Sequence, residues 1–519
     1  MEGGKVLASG TYGCILKPAL PCVGESERPD DTVSKLMTKR NAESELKEVK
    51  KVFRKVKQIH NYKDFYILDK IKMCEPRKLQ HEDLKDFDRK CTAMKRIKID
   101  SRNVNQFGIL DNLRILQLPD GGKDIYYYFS NKHSPALYVK VNNAIIKLLK
   151  GGIVPLDGIN VLHMDVKSSN IVYSTKTDKA RLIDWGLTTN IVDNKIPKHI
   201  RGWPIMFNQP LTNLVFHKEI QRIFTRFQGH QDVKRIIKDN PTGNLKDLLL
   251  LPLHQTFMNI IFKDDNSVKY QVGGLGHIEY WESIFKDIVG LNLPGLSPTL
   301  INSVKQSPFK TVGRMVSYHI SKAFLEYSIY NNQMGTFKED DFFNQVFRHN
   351  CDIFGFISNY VDILKNKHLS VSVRGKGYYI VEKYMIEPTY ATVAFPLEEV
   401  VRDCHSLNND LMPGVRHSPP KSIEQPKAPI MISQSENLRP DDFSWELSKR
   451  CPKGTHRNKK TGRCQKKITV TKKKKCPPGS VLNRKTGRCN KIKPSQTKKK
   501  KRCKNGTRRN PKTGNCEPK

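Results

Sequence analysis

The sequence predicts an α+β fold in two lobes, a small β-rich one and then a larger helical one, followed by a linker and a basic tail. Three observations predict it. Short β-like runs come early, apolar patterns at helical spacing come later, and the composition changes after residue 411. Strands first and helices after is the order of an α+β protein, not of alternating β/α units. The chain has 519 residues, and at about 150 residues per domain it has room for two to four units.

Residues 13–17, 32–37 and 113–118 read as strands. Between the second and third, Leu46, Val49 and Val52 form an apolar stripe just behind Glu45, which predicts a helix there. Residues 138–149 place Val141, Ile145, Leu148 and Leu149 at helical spacing, and 351–364 is a second apolar helical run. The stretch 216–310 maps to nothing recognisable. Within it, Gly273-Gly274-Leu275-Gly276-His277 reads as a loop, because neither its spacing nor its context suits a phosphate-binding turn. Residues 412–450 hold six Pro and six Ser without periodicity, which is linker composition.

Three segments then repeat one framework: Cys, Gly at +3, Asn at +7, Thr-Gly at +10 and +11, Cys at +13. They are 451–464, 476–489 and 503–516, joined by Lys-rich connectors. Of the formal charge of +40, residues 451–519 supply +25, from 26 Lys/Arg against the single acid Glu517. That asymmetry points to a polyanionic partner. Each repeat is too short to build a core, so a covalent or metal staple is expected. Zinc wants four ligands, and each repeat offers two cysteines, with a histidine (His456) only in the first. One disulfide per repeat is the preferred reading, with zinc the rival. The other six cysteines, Cys74 and Cys351 among them, read as reduced thiols. No stretch approaches the roughly 18 apolar residues of a membrane span, and the start, Met-Glu-Gly-Gly-Lys, has no apolar signal core, so secretion is not expected.

The chemistry concentrates in His163-Met164-Asp165-Val166-Lys167-Ser168-Ser169-Asn170 and, further on, Leu182-Ile183-Asp184-Trp185-Gly186. Phosphoryl transfer needs a carboxylate near the attacking hydroxyl, oxygen ligands for magnesium, and cations on the phosphates. Asp165 suits the first task, Asn170 and Asp184 the second, and Lys167 can reach the transferred group. The short apolar runs between Asn170 and Asp184, if paired as strands, return Asp184 beside Asn170.

These residues resemble the catalytic loop and metal-binding triplet of eukaryotic-type protein kinases, and the rest of the family's pattern follows in chain order. The stretch from Ala8 to Ile15 resembles the glycine-rich loop, with Ala8 in place of the first glycine. The resemblance implies a bilobal kinase fold, with an N-lobe over 1–118, a C-lobe over 119–411 and a divergent insertion near 216–310. It implies ATP and Mg2+ as cofactors, with Gly10, Tyr12, Gly13, Ile15, Lys35 and Leu118 around the nucleotide and Asn170 and Asp184 on the metal. Lys35 then needs a glutamate from the next helix; Glu45 is preferred over Glu43 and Glu48. Catalytic roles fall to Asp165, Lys167, Lys35 and Glu45. Residues 113–125 resemble the strand and hinge that open the C-lobe, and Asp352 the aspartate that braces the catalytic loop.

The departures are as informative. Met164 stands where many kinases have an Arg that reads a phosphorylated activation segment, so modification of Thr188 or Thr189 is not expected to switch the enzyme unless another cation, such as Arg201, takes that role. Trp185 replaces the usual Phe, and Trp203 to Pro210 occupies the place of Ala-Pro-Glu. The Asp-x-Lys loop resembles serine/threonine kinases, and the divergent middle resembles kinases of large nucleocytoplasmic DNA viruses. Residues 451–519 resemble the basic adaptor repeats of chlorella-type viruses. Together these imply a viral Ser/Thr protein kinase of the virion or the host-cell cytoplasm. The kinase region would phosphorylate a protein substrate, and the tail would bind nucleic acid or an acidic virion surface. Two rivals are a basic virion or DNA-binding protein with a degenerate kinase domain, and a kinase-fold enzyme acting on a small molecule.

Overall fold

The computed structural model describes residues 4–10, 12–293 and 296–414, together with the backbone of six short strands between 455 and 518. The chain divides into two compact units, Met1–Asn437 and Leu438–Lys519.

The first unit begins with an antiparallel sheet of five strands, β1 (Lys5–Ser9), β2 (Gly13–Lys17), β3 (Thr32–Thr38), β4 (Lys72–Cys74) and β5 (Leu113–Pro119), in the order β1-β2-β3-β5-β4. A strand sends alternate side chains to opposite faces. In β3, Leu36 therefore joins a core with Cys14, Leu16, Phe87 and Ile115 on one face. Met37 packs with Leu116 and Ala42 on the other, which is covered by helix α1 (Lys39–Val56). Thr38 caps α1, its hydroxyl accepting from the Asn41 N–H.

Two disulfides cross-link this sheet region, Cys14–Cys91 and Cys22–Cys74, with Cα–Cα distances of 5.5 and 5.7 Å. This corrects the reading of Cys74 as a reduced thiol. Separations of 77 and 52 residues carry no recognisable spacing; only the folded sheet brings these pairs within bridging distance. Cys351 and Cys404 are free and buried.

Beyond β5 the unit is mainly helical. The helix Pro135–Leu148 covers the expected 138–149 run and packs on Leu397–Leu411, where Asn142 donates to the carbonyl of Cys404 and to Asn408 Oδ1, both at 2.9 Å. The 351–364 run is not one helix. Arg348–Ile357 ends where Ser358 Oγ bonds back to the Gly355 carbonyl and Asn359 Nδ2 to that of Phe356; Tyr360–Lys365 then starts anew. Such side chains compete with the backbone for its own partners and interrupt the ladder. The unassigned 216–310 stretch is helical too, built around Leu245–Ile260, Leu275–Gly290 and the following Pro308–Glu326. Pro252 lies inside the first of these, and the helix continues through it although proline removes a backbone donor. A sheet-bearing N-terminal part and a helical C-terminal part form a layout compatible with a bilobal kinase-like fold.

In the second unit each repeat contains one antiparallel hairpin: Thr455–Arg457 with Cys464–Lys466, Ser480–Leu482 with Cys489–Lys491, and Thr507–Arg509 with Cys516–Pro518. The register is the same in all three, with Arg457 opposite Cys464, Leu482 opposite Cys489 and Arg509 opposite Cys516. The linker after residue 414 and the bonding of the repeat cysteines lie outside the described residues. Among the described residues, no helix is long and apolar enough to cross a membrane.

Candidate active site

The sheet assembles the first half of the site. Ile15 lies directly opposite Lys35 in the β2–β3 register, and Leu118 opposite Val33, two residues from Lys35 in β3. The period of two puts Ile15, Lys35 and Leu118 on the face that α1 covers. At the tip of the β1–β2 hairpin the Gly10 N–H donates to the Gly13 carbonyl at 2.9 Å. Gly13 is required by packing: a Cβ there would sit 2.6 Å from Met37 and 2.7 Å from the Leu36 carbonyl. Tyr12 is exposed beside it, and Thr11 lies outside the described residues.

Lys35 Nζ meets both carboxylate oxygens of Glu45, at 2.7 and 2.8 Å. Of the three candidate acids it is Glu45 that makes this pair; Glu48 bonds Lys51 on the surface instead. Burial raises the Glu45 pKa, against the pull of the Lys35 cation, and nearby Asp184 pushes it the same way as burial.

The loop after Leu162 supplies the second half. Asp165 is buried, and donors surround its carboxylate. Lys167 Nζ lies 2.9 and 2.8 Å from its two oxygens, Asn170 Nδ2 donates to Oδ2 at 2.8 Å, and Asn208 Nδ2 donates to Oδ1 at 2.9 Å. Strands Ile171–Ser174 and Lys179–Leu182 pair antiparallel with Ile171 opposite Leu182. The Ile183 N–H donates to the Asn170 carbonyl at 2.9 Å, so the hairpin returns Asp184 beside Asn170. Asp184 is exposed, and its carboxylate has no hydrogen-bond or ion-pair partner among the described residues.

The loop's backbone is strained and firmly held. Met164 has φ of 66° and Asp184 of 61°, a region that side-chain-bearing residues rarely adopt. Asp352, from the helix Arg348–Ile357, accepts the His163 N–H at 2.7 Å and the Met164 N–H at 2.8 Å. Gln209 Nε2 donates to the Met164 carbonyl at 2.7 Å. Gly355 lets that helix approach, since a Cβ would fall 2.5 Å from the Val166 carbonyl. Burial pushes Asp352 up to about 7, although the two N–H donors pull the other way. His163 is driven down to about 4 by burial and stands neutral, its Nε2–H donating to the Ile183 carbonyl at 3.1 Å. Trp185 closes over it, edge to face, with ring centroids 4.8 Å apart.

Met164 is buried with its sulfur 3.3 Å from that of Cys351, an apolar seat with no place for a charge. Arg201 is already paired, to Glu339 at 2.6 Å. Thr189 is buried in a short strand pair opposite Leu162, and the Thr188 hydroxyl is buried with no partner among the described residues.

Two residues in direct contact with this centre were not singled out from sequence, Asn208 and Gln209, nor was His277, which contacts the neighbouring Phe207. The 203–210 segment is recognisable only by its place in chain order, and side-chain amides have no periodicity to betray them. Chemically, the ligating ends left by this arrangement are the Asp184 carboxylate and the Asn170 amide oxygen, the nitrogen of Asn170 being engaged by Asp165. Hard oxygen donors of this kind suit a magnesium ion, so the residues fit that metal.

No protein-family model matches the chain, and no curated protein matches it. Among solved structures, it aligns with the Cydia pomonella granulovirus kinase PK-1 at 14% identity and a TM-score of 0.23. The alignment covers 41% of this chain and 62% of the granulovirus chain, too little overlap to define a shared fold.

Proposed function

We propose that this chain is an ATP- and magnesium-dependent protein kinase that phosphorylates serine or threonine. The observation that carries the reading is the convergence of Asp165, Lys167, Asn170 and Asp184 on one loop-and-hairpin, together with the buried Lys35–Glu45 pair. Asp165 orients the acceptor hydroxyl and takes its proton as the hydroxyl oxygen bonds to the γ-phosphorus and the bond from that phosphorus to the β-phosphate oxygen breaks, releasing ADP. Lys167, already on Asp165, offsets the charge of the transferred group. Lys35, oriented by Glu45, holds the α- and β-phosphates, while Gly10, Tyr12, Gly13, Ile15 and Leu118 surround the nucleotide. Asn170 and Asp184 would hold magnesium, which would supply positive charge against the phosphates. Positioning and electrostatics are the whole of this chemistry. The basic tail, in this reading, anchors the enzyme on nucleic acid or an acidic virion surface.

The test is incubation of the purified chain with Mg-ATP, a basic protein substrate and, separately, free small alcohols. Phosphoserine or phosphothreonine in the protein is expected. Transfer to neither acceptor would favour a degenerate kinase domain, and transfer only to the alcohols a small-molecule enzyme; either result rejects the reading.

A further inference from the structure

The Gly273 to His277 stretch, expected to be a loop, is in fact a two-glycine turn running into the first turn of the helix Leu275–Gly290. Gly273 and Gly274 both have positive φ, of 70° and 79°. A Cβ on Gly274 would collide with the Ile205 carbonyl, and one on Gly273 would lie 3.4 Å from Pro204. The two glycines therefore let the turn lie directly against the 203–210 segment. Its last residue, His277, stacks on Phe207 with centroids 5.7 Å apart and planes 26° apart. The Phe207 N–H donates to His277 Nδ1 at 3.4 Å. The next residue along, Asn208, holds the Asp165 carboxylate.

The insertion thus places an imidazole against the segment that holds Asp165. Because Nδ1 accepts a hydrogen bond, the neutral ring carries its proton on Nε2, and Nε2 has no partner among the described residues. Burial lowers the His277 pKa, as does the Lys167 cation, against the pull of Asp165, so the ring is near enough to feel both. Tyr280, one helical turn on, packs against the other partner of the stack, Phe207, with centroids 4.6 Å apart. A neutral N–H donor stacked on an aromatic ring matches a neutral acceptor such as a main-chain carbonyl.

We propose that His277 is a substrate-positioning residue whose Nε2–H donates to a main-chain carbonyl of the protein substrate beside the phosphoacceptor. The proposal rests on the kinase reading above and deepens it: a main-chain contact of this kind favours a polypeptide acceptor over a small alcohol.

The test compares wild-type enzyme, His277→Ala and His277→Gln in steady-state kinetics with myelin basic protein and ATP. His277→Ala is expected to raise KM for the protein substrate about five- to tenfold, the loss of one neutral hydrogen bond, with KM for ATP changing less than twofold. His277→Gln, which keeps an N–H at similar reach, is expected to restore most of the loss. An unchanged protein KM in His277→Ala, or equal rises in both KM values, would overturn the proposal. If wild-type enzyme phosphorylates no protein, the kinase reading fails by itself. Equilibrium binding of fluorescent myelin basic protein to the same three chains then decides His277, and equal affinities reject it.

Discussion

Asp165 is fixed by its surroundings, because Lys167 and Asn170 from its own loop and Asn208 from the 203–210 segment hold its two oxygens. Asp184 is the opposite case, an exposed carboxylate with no partner among the described residues. Asp184→Ala should therefore reduce phosphoryl transfer by orders of magnitude while leaving the thermal midpoint within a degree or two. Turnover near wild type in the folded variant would remove the proposed magnesium site. A buried histidine away from the centre gives a second residue-scale prediction. His319 donates from Nδ1 to the Met315 carbonyl at 2.7 Å, and burial drives its pKa from 6.5 to about 4. In the unfolded chain it takes a proton below about pH 6.5, whereas the folded chain resists down to about 4, so its contribution to stability is complete above 6.5 and falls away on acidification. The thermal advantage of wild type over His319→Gln should accordingly shrink between pH 7.5 and 4.5. A gap that stays constant or widens across that range would show that His319 does not titrate in this way.

At the scale of elements, what could be read in the sequence depended on whether a signal was local. The strands 13–17, 32–37 and 113–118 were legible to within a residue, because alternation and flanking breakers lie within each run. The return of Asp184 to Asn170 was legible for the same reason, as a hairpin within one short segment. The helices of 216–310 were not, since Pro252 and mixed polarity hide them and their order follows from packing against Pro308–Glu326. The Cys14–Cys91 and Cys22–Cys74 bonds were hidden too, because long-range sheet contacts create them. They lie in the core on the face of the sheet away from Lys35 and α1. Replacing Cys22 and Cys74 together with serine should lower unfolding stability by about 2–4 kcal/mol, with little change in KM for ATP. Denaturant unfolding beside ATP kinetics would check both halves. A large loss of ATP affinity at unchanged stability would mean that this bond orders the nucleotide face instead.

On the scale of the whole molecule, the charge of the tail and the chemistry of the first unit call for separate measurements. Residues 451–519 carry 26 basic residues against one acid and contain no aromatic residue. Without aromatic rings, base stacking is unavailable, and attraction to the phosphates remains as the source of affinity. Binding to duplex DNA should then be indifferent to sequence. If about 6–10 phosphates are contacted, affinity should fall by about 10³–10⁵ between 50 and 200 mM salt. The common hairpin register in the three repeats gives each the same backbone frame, with Arg457, Leu482 and Arg509 at equivalent positions. Leu482 is the uncharged member, so exchanging it for arginine should steepen the salt dependence by about one phosphate's worth. A chain ending at Asn437, the boundary of the first unit, should lose this binding and still phosphorylate a free peptide. Fluorescence anisotropy of labelled DNA against salt, run on the full chain and the shortened one, separates the outcomes. Affinity that survives the truncation, or that ignores salt, would place the polyanion site somewhere other than the tail.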